Sequence, residues 1–194
     1  MQTDSAAVLD FWFTPGLDET PGTPRGVWFK KDERFDAVIR QRFGALIERA
    51  LADGLREWDA QGASGTLARI LVLDQFTRNT GRDTPRAFAG DAMALEAARK
   101  LVDNGLDRTM PSLQRWFAYM PFEHAEDIEM QDKAVALFEA LAQDMPQLAG
   151  ALDYAIRHRD VIARFGRFPH RNEILGRTST EEEIAFLKTP GSRF

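Results

Sequence analysis

The sequence predicts an all-α protein of about seven to nine helices. Three observations carry this. Apolar residues recur at spacings of three and four through most of the chain, and the periodic stretches open and close on capping residues. Alternating apolar–polar runs flanked by hairpin turns are absent. At 194 residues the default is one compact domain, 1–194, with enough chain to bury a substantial core.

Taken in order, Ser5–Phe13 is a short opening helix. Phe13–Trp28, rich in Pro, Gly and Thr, is a surface loop anchored by Trp12 and Trp28. Residues 32–53 begin on Asp32, a good N-cap, and end before Gly54, a good residue for the left-handed position after a helix. Between them Phe35, Val38, Ile39, Phe43, Leu46, Ile47 and Leu51 form one stripe. A second long helix covers Ser64–Phe76. A third starts at Thr84-Pro85, because Pro is tolerated at the first helical position, and stops before Gly105. Pro111 opens a short helix with Leu113, Trp116 and Phe117. Pro121 opens a longer one through Ile128, Val135, Phe138 and Leu141. Pro146 starts another that stops at Gly166. Thr180–Leu187 closes the series, with Thr180 and Glu183 spaced for a capping box. Ala52-Asp53-Gly54-Leu55 and Asp103-Asn104-Gly105-Leu106 form a weak echo at an offset of 51 residues, which is compatible with stacked hairpins but is also a common way to end a helix.

Composition excludes several classes. The chain has no Cys, so disulfides, thiolate catalysis and Cys-type zinc sites are out. Its pI near 5.3 argues against nucleic acid as a partner. No apolar run approaches the roughly 20 residues that span a bilayer, so no membrane partner is expected. The start, Met-Gln-Thr-Asp, lacks the basic region of a signal peptide, and a cytoplasmic protein is expected. No P-loop, dinucleotide glycine fingerprint or Gly-x-Ser-x-Gly elbow occurs, so no cofactor is expected. No metal is expected either, because the His and Glu spacings fit no compact ligand signature.

Against that acidic background Arg157–Arg177 stands out. It holds six Arg and two of the three His, with only Asp160 and Glu173 as acids, a charge of +4 inside a chain of −5. Guanidinium forks bind planar anions bidentately and stay charged when desolvated. Within it, Phe165-Gly166-Arg167-Phe168-Pro169-His170-Arg171-Asn172 is a turn whose two Phe can anchor in the core. That would leave Arg167, His170, Arg171 and Asn172 to face one cavity. The alternative is that these arginines neutralise helix-end carbonyls and pair with Glu123, Glu126 or Asp74. His158 falls on a stripe with Ala151, Ala155, Ile162 and Phe165. It is either a core histidine bonded to a carbonyl or carboxylate, or a ligand-contacting group in a partly buried pocket.

Two further clusters carry polar groups. In Tyr119–Asp127, Pro121 as a helix start places Glu123, Glu126 and Asp127 at the positive helix end. It also turns His124 inward and keeps it neutral. In Arg69–Asn79, Asp74 shares a stripe with Leu67, Ile70 and Leu71, and a buried carboxylate needs a partner. Arg78 is the local candidate, and Arg164 or Arg167 are the distant ones.

Leu73-Asp74-Gln75-Phe76-Thr77-Arg78-Asn79, Tyr119-Met120-Pro121-Phe122-Glu123-His124-Ala125-Glu126 and Arg164–Asn172 together resemble a bacterial helical family, domain-of-unknown-function family 924. The closing Pro190-Gly191-Ser192-Arg193-Phe194 fits as well. The resemblance covers nearly the whole chain and implies an all-α fold of stacked antiparallel helical hairpins, similar to tetratricopeptide repeats. It brings no reaction. Two positions depart from the family pattern: Thr77 stands where Pro is frequent, and Ala125 where Ser is common.

The leading functional expectation is a pocket for a small anionic metabolite. Arg164, Arg167 and Arg171 would hold the anion, assisted by Arg78, Asn79, His158 and Asn172. His124 or His170 would move a proton, with Glu123 or Asp74 fixing the tautomer and Glu126 in a supporting place. Whether turnover occurs, and hence whether the protein is an enzyme, stays open. Two alternatives stand beside it: a scaffold whose concave face binds an acidic peptide, and a purely structural ion network that pins the helices.

Overall fold

A computed structural model describes residues 4–193. The chain divides into two compact units. The first comprises Met1–Arg82 and Arg86–Pro121, the second Asp83–Pro85 and Phe122–Phe194. Phe194 lies outside the described residues, as does the Met1–Thr3 start. The described residues form nine α-helices and no strand, so the predicted all-α class holds. None of these helices is long and apolar enough to cross a membrane.

In the first unit α1 (Ser5–Phe13) is capped by the Asp4 carboxylate. The loop that follows is pinned as expected: Trp28 Nε1 donates to the Trp12 carbonyl at 3.0 Å, and the two indoles stack. Helix α2 (Glu33–Leu51) opens on Asp32, which accepts from the Arg34 and Phe35 amides. Its far end differs from the expectation. Asp53, not Gly54, takes the left-handed conformation. Asp53 N–H bonds to the Ala50 carbonyl and Gly54 N–H to that of Arg49, which together form a Schellman motif. Gly54 is needed for proximity: a Cβ there would lie 2.6 Å from the Arg49 oxygen. Gly105, its partner in the sequence echo, takes the positive φ itself, so the two segments end their helices differently.

Helix α3 (Ala63–Ile70) does not run unchanged to Phe76. Residues Leu71–Phe76 widen into a π-helix, and α4 (Thr77–Thr80) continues the path. Widening leaves carbonyls poorly placed for the usual ladder, and side chains serve them. Thr77 Oγ1 donates to the Leu73 carbonyl at 2.6 Å, Thr80 Oγ1 to Phe76 at 2.7 Å, and Arg78 to Asp74 at 2.8 Å. The hydroxyl of Thr77 thus serves a carbonyl that the widened ladder leaves. Everything from Gly65 to Thr77 is buried, so this is a central helix with no solvent face.

The helix predicted from Thr84-Pro85 splits. A 3₁₀ turn at Pro85–Phe88 precedes α5 (Asp91–Asp103). Gly90 separates them because the backbone there presses on the central helix: a Cβ would sit 2.1 Å from the Leu73 carbonyl oxygen.

Helix α6 (Ser112–Glu123) carries Pro121 inside its last turns, so Pro121 starts no helix. The next one, α7 (Ile128–Asp144), opens on Asp127, whose carboxylate accepts from the Glu129 and Met130 amides. A side-chain cap that satisfies two orphan amides outweighs the milder preference of Pro for a first turn. His124 therefore lies in the α6–α7 connection and not at a helix N-terminus, and the dipole argument for its neutrality lapses.

In the second unit α7 pairs with α8 (Ala149–Phe165) across the short link at Met145–Leu148. Gly166 closes α8 in the left-handed conformation, as expected. Phe168 is fully buried and packs with Val161 and Ile162, flanked by Phe165 and Phe186. Helix α9 (Glu181–Phe186) opens on a complete Thr180–Glu183 capping box.

Candidate functional site

Arg78 and Asn79 belong to the first unit and serve its frame. Asp74 is fully buried. One of its oxygens accepts from Arg78 at 2.9 Å, the other from Gln75 at 2.6 Å. Arg78, the predicted local partner, also forms a bidentate pair with Asp91 at 2.8 and 3.1 Å. Asn79 donates to Asp36 at 2.6 Å, and Arg82 holds the same carboxylate.

The other two motifs lie in the second unit, except for Tyr119–Pro121. All three histidines of the chain lie there, and two of them meet Phe168. Its ring meets that of His158 edge-on at 5.4 Å between centroids and that of His170 at 5.6 Å. The Arg171 guanidinium lies 4.5 Å from the same ring, and the His124 ring lies 6.4 Å from that of His158. These residues come from the α6–α7 connection, the middle of α8 and the turn after it. Of the His158 stripe, Ala151, Ala155 and Ile162 are buried as the spacing predicts, and Phe165 is half-buried.

His158 meets both acceptors foreseen for a core histidine. Nδ1 is 2.8 Å from the Tyr154 carbonyl and 3.0 Å from Glu123 Oε1. Glu123 and His158 are 5 % and 6 % exposed. Two acceptors on Nδ1 assign a proton to that nitrogen. A buried carboxylate that fixes an imidazole tautomer in this way prepares the other nitrogen to take up a proton.

His170 is different. Burial, with Arg171 and His158 adding to it, pushes its pKa down to about 3. It stays neutral at neutral pH and suits hydrogen bonding better than proton transfer.

The turn itself is tied down by carboxylates. Glu126 Oε1 accepts from the Phe168 amide at 2.7 Å, and the Glu126 carboxylate takes both arms of Arg177 at 2.6 and 2.9 Å. Burial pushes Glu126 upward, but Arg177, the Phe168 amide and Arg171 outweigh it and hold the group below its ordinary value. Arg177 also reaches the Phe168 carbonyl and Asn172 Oδ1. Arg167 grips Glu183 with two contacts at 2.7 and 2.8 Å. Asn172 donates to the same carboxylate and to Ser179. Arg164 pairs with Glu182 on the surface and lies over Phe165. Of the three arginines expected to hold an anion, Arg164 and Arg167 thus face glutamates of the C-terminal segment. Arg171 lies in the imidazole cluster and donates to the His124 carbonyl at 3.1 Å.

Sequence reasoning gave Arg177 and Gln131 no place in the site, read Glu183 only as part of a helix cap and Phe168 only as a core anchor. Gln131 had a readable signal. It shares a buried stripe with Ala134, Phe138 and Leu141, and an amide on such a stripe needs partners. Ala125 takes part through its backbone: its carbonyl accepts from Gln131 and its amide donates to the Phe122 carbonyl. Among the described residues no group of three or more His, Asp or Glu could hold a metal ion.

These titrations set the acid response. Glu183 is held down at about 2, chiefly by Arg167, against an ordinary 4.5. A depressed carboxylate contributes stability that is complete above its unfolded value and is lost as pH falls through the folded one. For Glu183 that window runs from 4.5 down to about 2, and Glu126 adds to it in the same direction. His170 acts earlier. Between its ordinary 6.5 and about 3 the unfolded chain binds a proton that the folded chain refuses, so stability falls across that range. Thermal unfolding from pH 8 to 3 is expected to show both losses. His170→Gln should flatten the upper part of the profile, and Glu183→Gln the lower part.

Comparison with known proteins gives the following. Residues 8–191 match a family model described as "Bacterial protein of unknown function (DUF924)". A solved structure of a protein of unknown function from Agrobacterium tumefaciens, ATU0120, is 38% identical in sequence. It is similar with a TM-score of 0.82 over 95% of this chain and 96% of that one. A search among curated proteins returns no match.

Proposed function

The chain belongs to the bacterial DUF924 family, and we propose that its second unit carries a site for a small anionic metabolite. In this reading the Glu123–His158 pair takes up and returns a proton. The observation that supports it most is the meeting of His158, His170 and Arg171 on the single buried ring of Phe168, with the His124 ring beside that of His158. Scattered structural histidines have no reason to collect in this way.

The roles follow from the chemistry. Arg171 supplies the positive charge and a planar donor fork. His170, neutral by burial, offers a hydrogen bond. His158, its Nδ1 proton turned to Glu123 and Tyr154, presents Nε2 as the base, and His124 stands beside it. Arg164 and Arg167 leave the anion-holding set because Glu182 and Glu183 occupy them.

That occupation favours a second reading for the rest of the basic segment. Arg167, Arg177 and Asn172, with Glu126 and Glu183, form an ion network that fixes the turn after α8.

The test is thermal unfolding against a panel of phosphorylated and carboxylated metabolites. A ligand at 100 times its Kd stabilises by about 2.7 kcal/mol, which raises Tm by roughly 5–10 °C for a chain of this length. At least one compound is expected to do so in the native protein and to fail in His158→Gln. A panel that leaves Tm unmoved, or a shift that survives His158→Gln undiminished, overturns the proposal.

A further inference from the structure

Four successive carbonyls, from Phe122 to Ala125, are held by side chains. Gln131, fully buried in the first turns of α7, donates from Nε2 to Phe122 O at 3.4 Å, to Glu123 O at 2.7 Å and to Ala125 O at 2.7 Å. Arg171 takes the remaining one, His124 O. Sealing the end of α6 accounts for the first two, since the last carbonyls of a helix lack partners. His124 O and Ala125 O lie beyond the helix, and ordinary turns leave such groups to solvent. Only a donor satisfies three acceptors, so the amide orientation is fixed, and Oε1 is left buried with no hydrogen-bond partner. An apolar residue on that stripe would avoid the stranded oxygen. Its retention is accounted for by what the nitrogen does.

We propose that Gln131 is the positioning residue of the imidazole site, clamping the Glu123–Ala125 backbone so that the Glu123 carboxylate reaches His158 Nδ1. This rests on the reading of Glu123 and His158 as the proton-handling pair. The two acceptors on Nδ1 respond differently to the clamp. Tyr154 O belongs to the same helix as His158 and persists without Gln131. The Glu123 contact depends on where the α6–α7 connection sits.

That difference supplies the experiment. In ¹H–¹⁵N spectra of the full-length protein, the His158 Nδ1–H resonance is followed in the native chain, Glu123→Gln and Gln131→Met. Gln131→Met is expected to move it in the same direction as Glu123→Gln, with at least half the displacement, while backbone amide resonances away from the connection keep their positions. A resonance that moves in Glu123→Gln but stays in Gln131→Met reduces Gln131 to a helix seal and overturns the proposal. If Glu123→Gln itself leaves the resonance in place, the Glu123–His158 pair is not formed, and the reading of the site fails instead. Gln131→Asn keeps the amide one methylene short of the carbonyls and gives the same readout should the methionine variant not fold.

Discussion

Phe168→Ala is expected to lower stability by about 3–5 kcal/mol, the range for a large aromatic removed from a packed core. The ring is fully buried between Val161, Ile162, Phe165 and Phe186 on one side and the imidazoles on the other. Little nearby can collapse into the gap. The backbone at this position is pinned by its amide to Glu126 and by its carbonyl to Arg177, so the cavity stays open. Arg171 loses the face it lies against, and His158 loses its edge contact. Chemical denaturation measures the first effect as a fall in midpoint at unchanged slope. The second would appear as a loss of any ligand-induced stabilisation larger than the global destabilisation explains. Phe168→Leu, which refills much of the volume, is expected to recover most of the stability and little of the binding. A Phe168→Ala protein as stable as the native chain would mean that the ring is not the support described here.

How far the sequence foretold this depends on the kind of signal. Side-chain caps were legible because they are local: Asp32 and the Thr180–Glu183 box sit where the spacing places them. The all-α class was legible from periodicity. Pro121 misled because its rule is statistical, whereas Asp127 makes two actual bonds to backbone amides. The π-helical stretch was invisible, since nothing in Leu71–Phe76 departs from an ordinary helical pattern.

For the site, residue types were readable and partners were not. His158 could be placed on a buried stripe, yet only three-dimensional proximity selects Glu123 as its acceptor across 35 positions of sequence. The arginines show the same limit. A run of six looks like one electropositive patch, but Glu126, Glu182 and Glu183, far off in sequence or beyond the run, neutralise half of it. Long-range ion pairing carries no period, so charge counting overstates the free cation in such a segment.

The same limit hid the Arg69–Asp59 ion pair of the first unit, and Asp59→Ala tests it with an expected loss of about 3 kcal/mol, the low end for a buried pair because Asp59 itself is only partly buried. Amphipathic reasoning assumes that a helix keeps a wet face, where Arg69 would lie off the apolar stripe. Here the helix is enclosed all round, and Arg69 is 1 % exposed. Its guanidinium meets Asp59 Oδ2 at 2.5 Å. Removing that carboxylate would strand a buried cation that cannot lose its proton. Removing both charges is a different matter. Paired ions taken from water recover little beyond their desolvation, and a well-packed apolar pair often does as well. Arg69→Met with Asp59→Leu is therefore expected to be far milder than Asp59→Ala alone, and close to neutral if the new side chains fit. The double-mutant cycle, read by denaturant unfolding, separates the two ideas. A single Asp59→Ala costing less than about 1 kcal/mol would place Arg69 in contact with solvent, since pairs of exposed ions contribute no more than that.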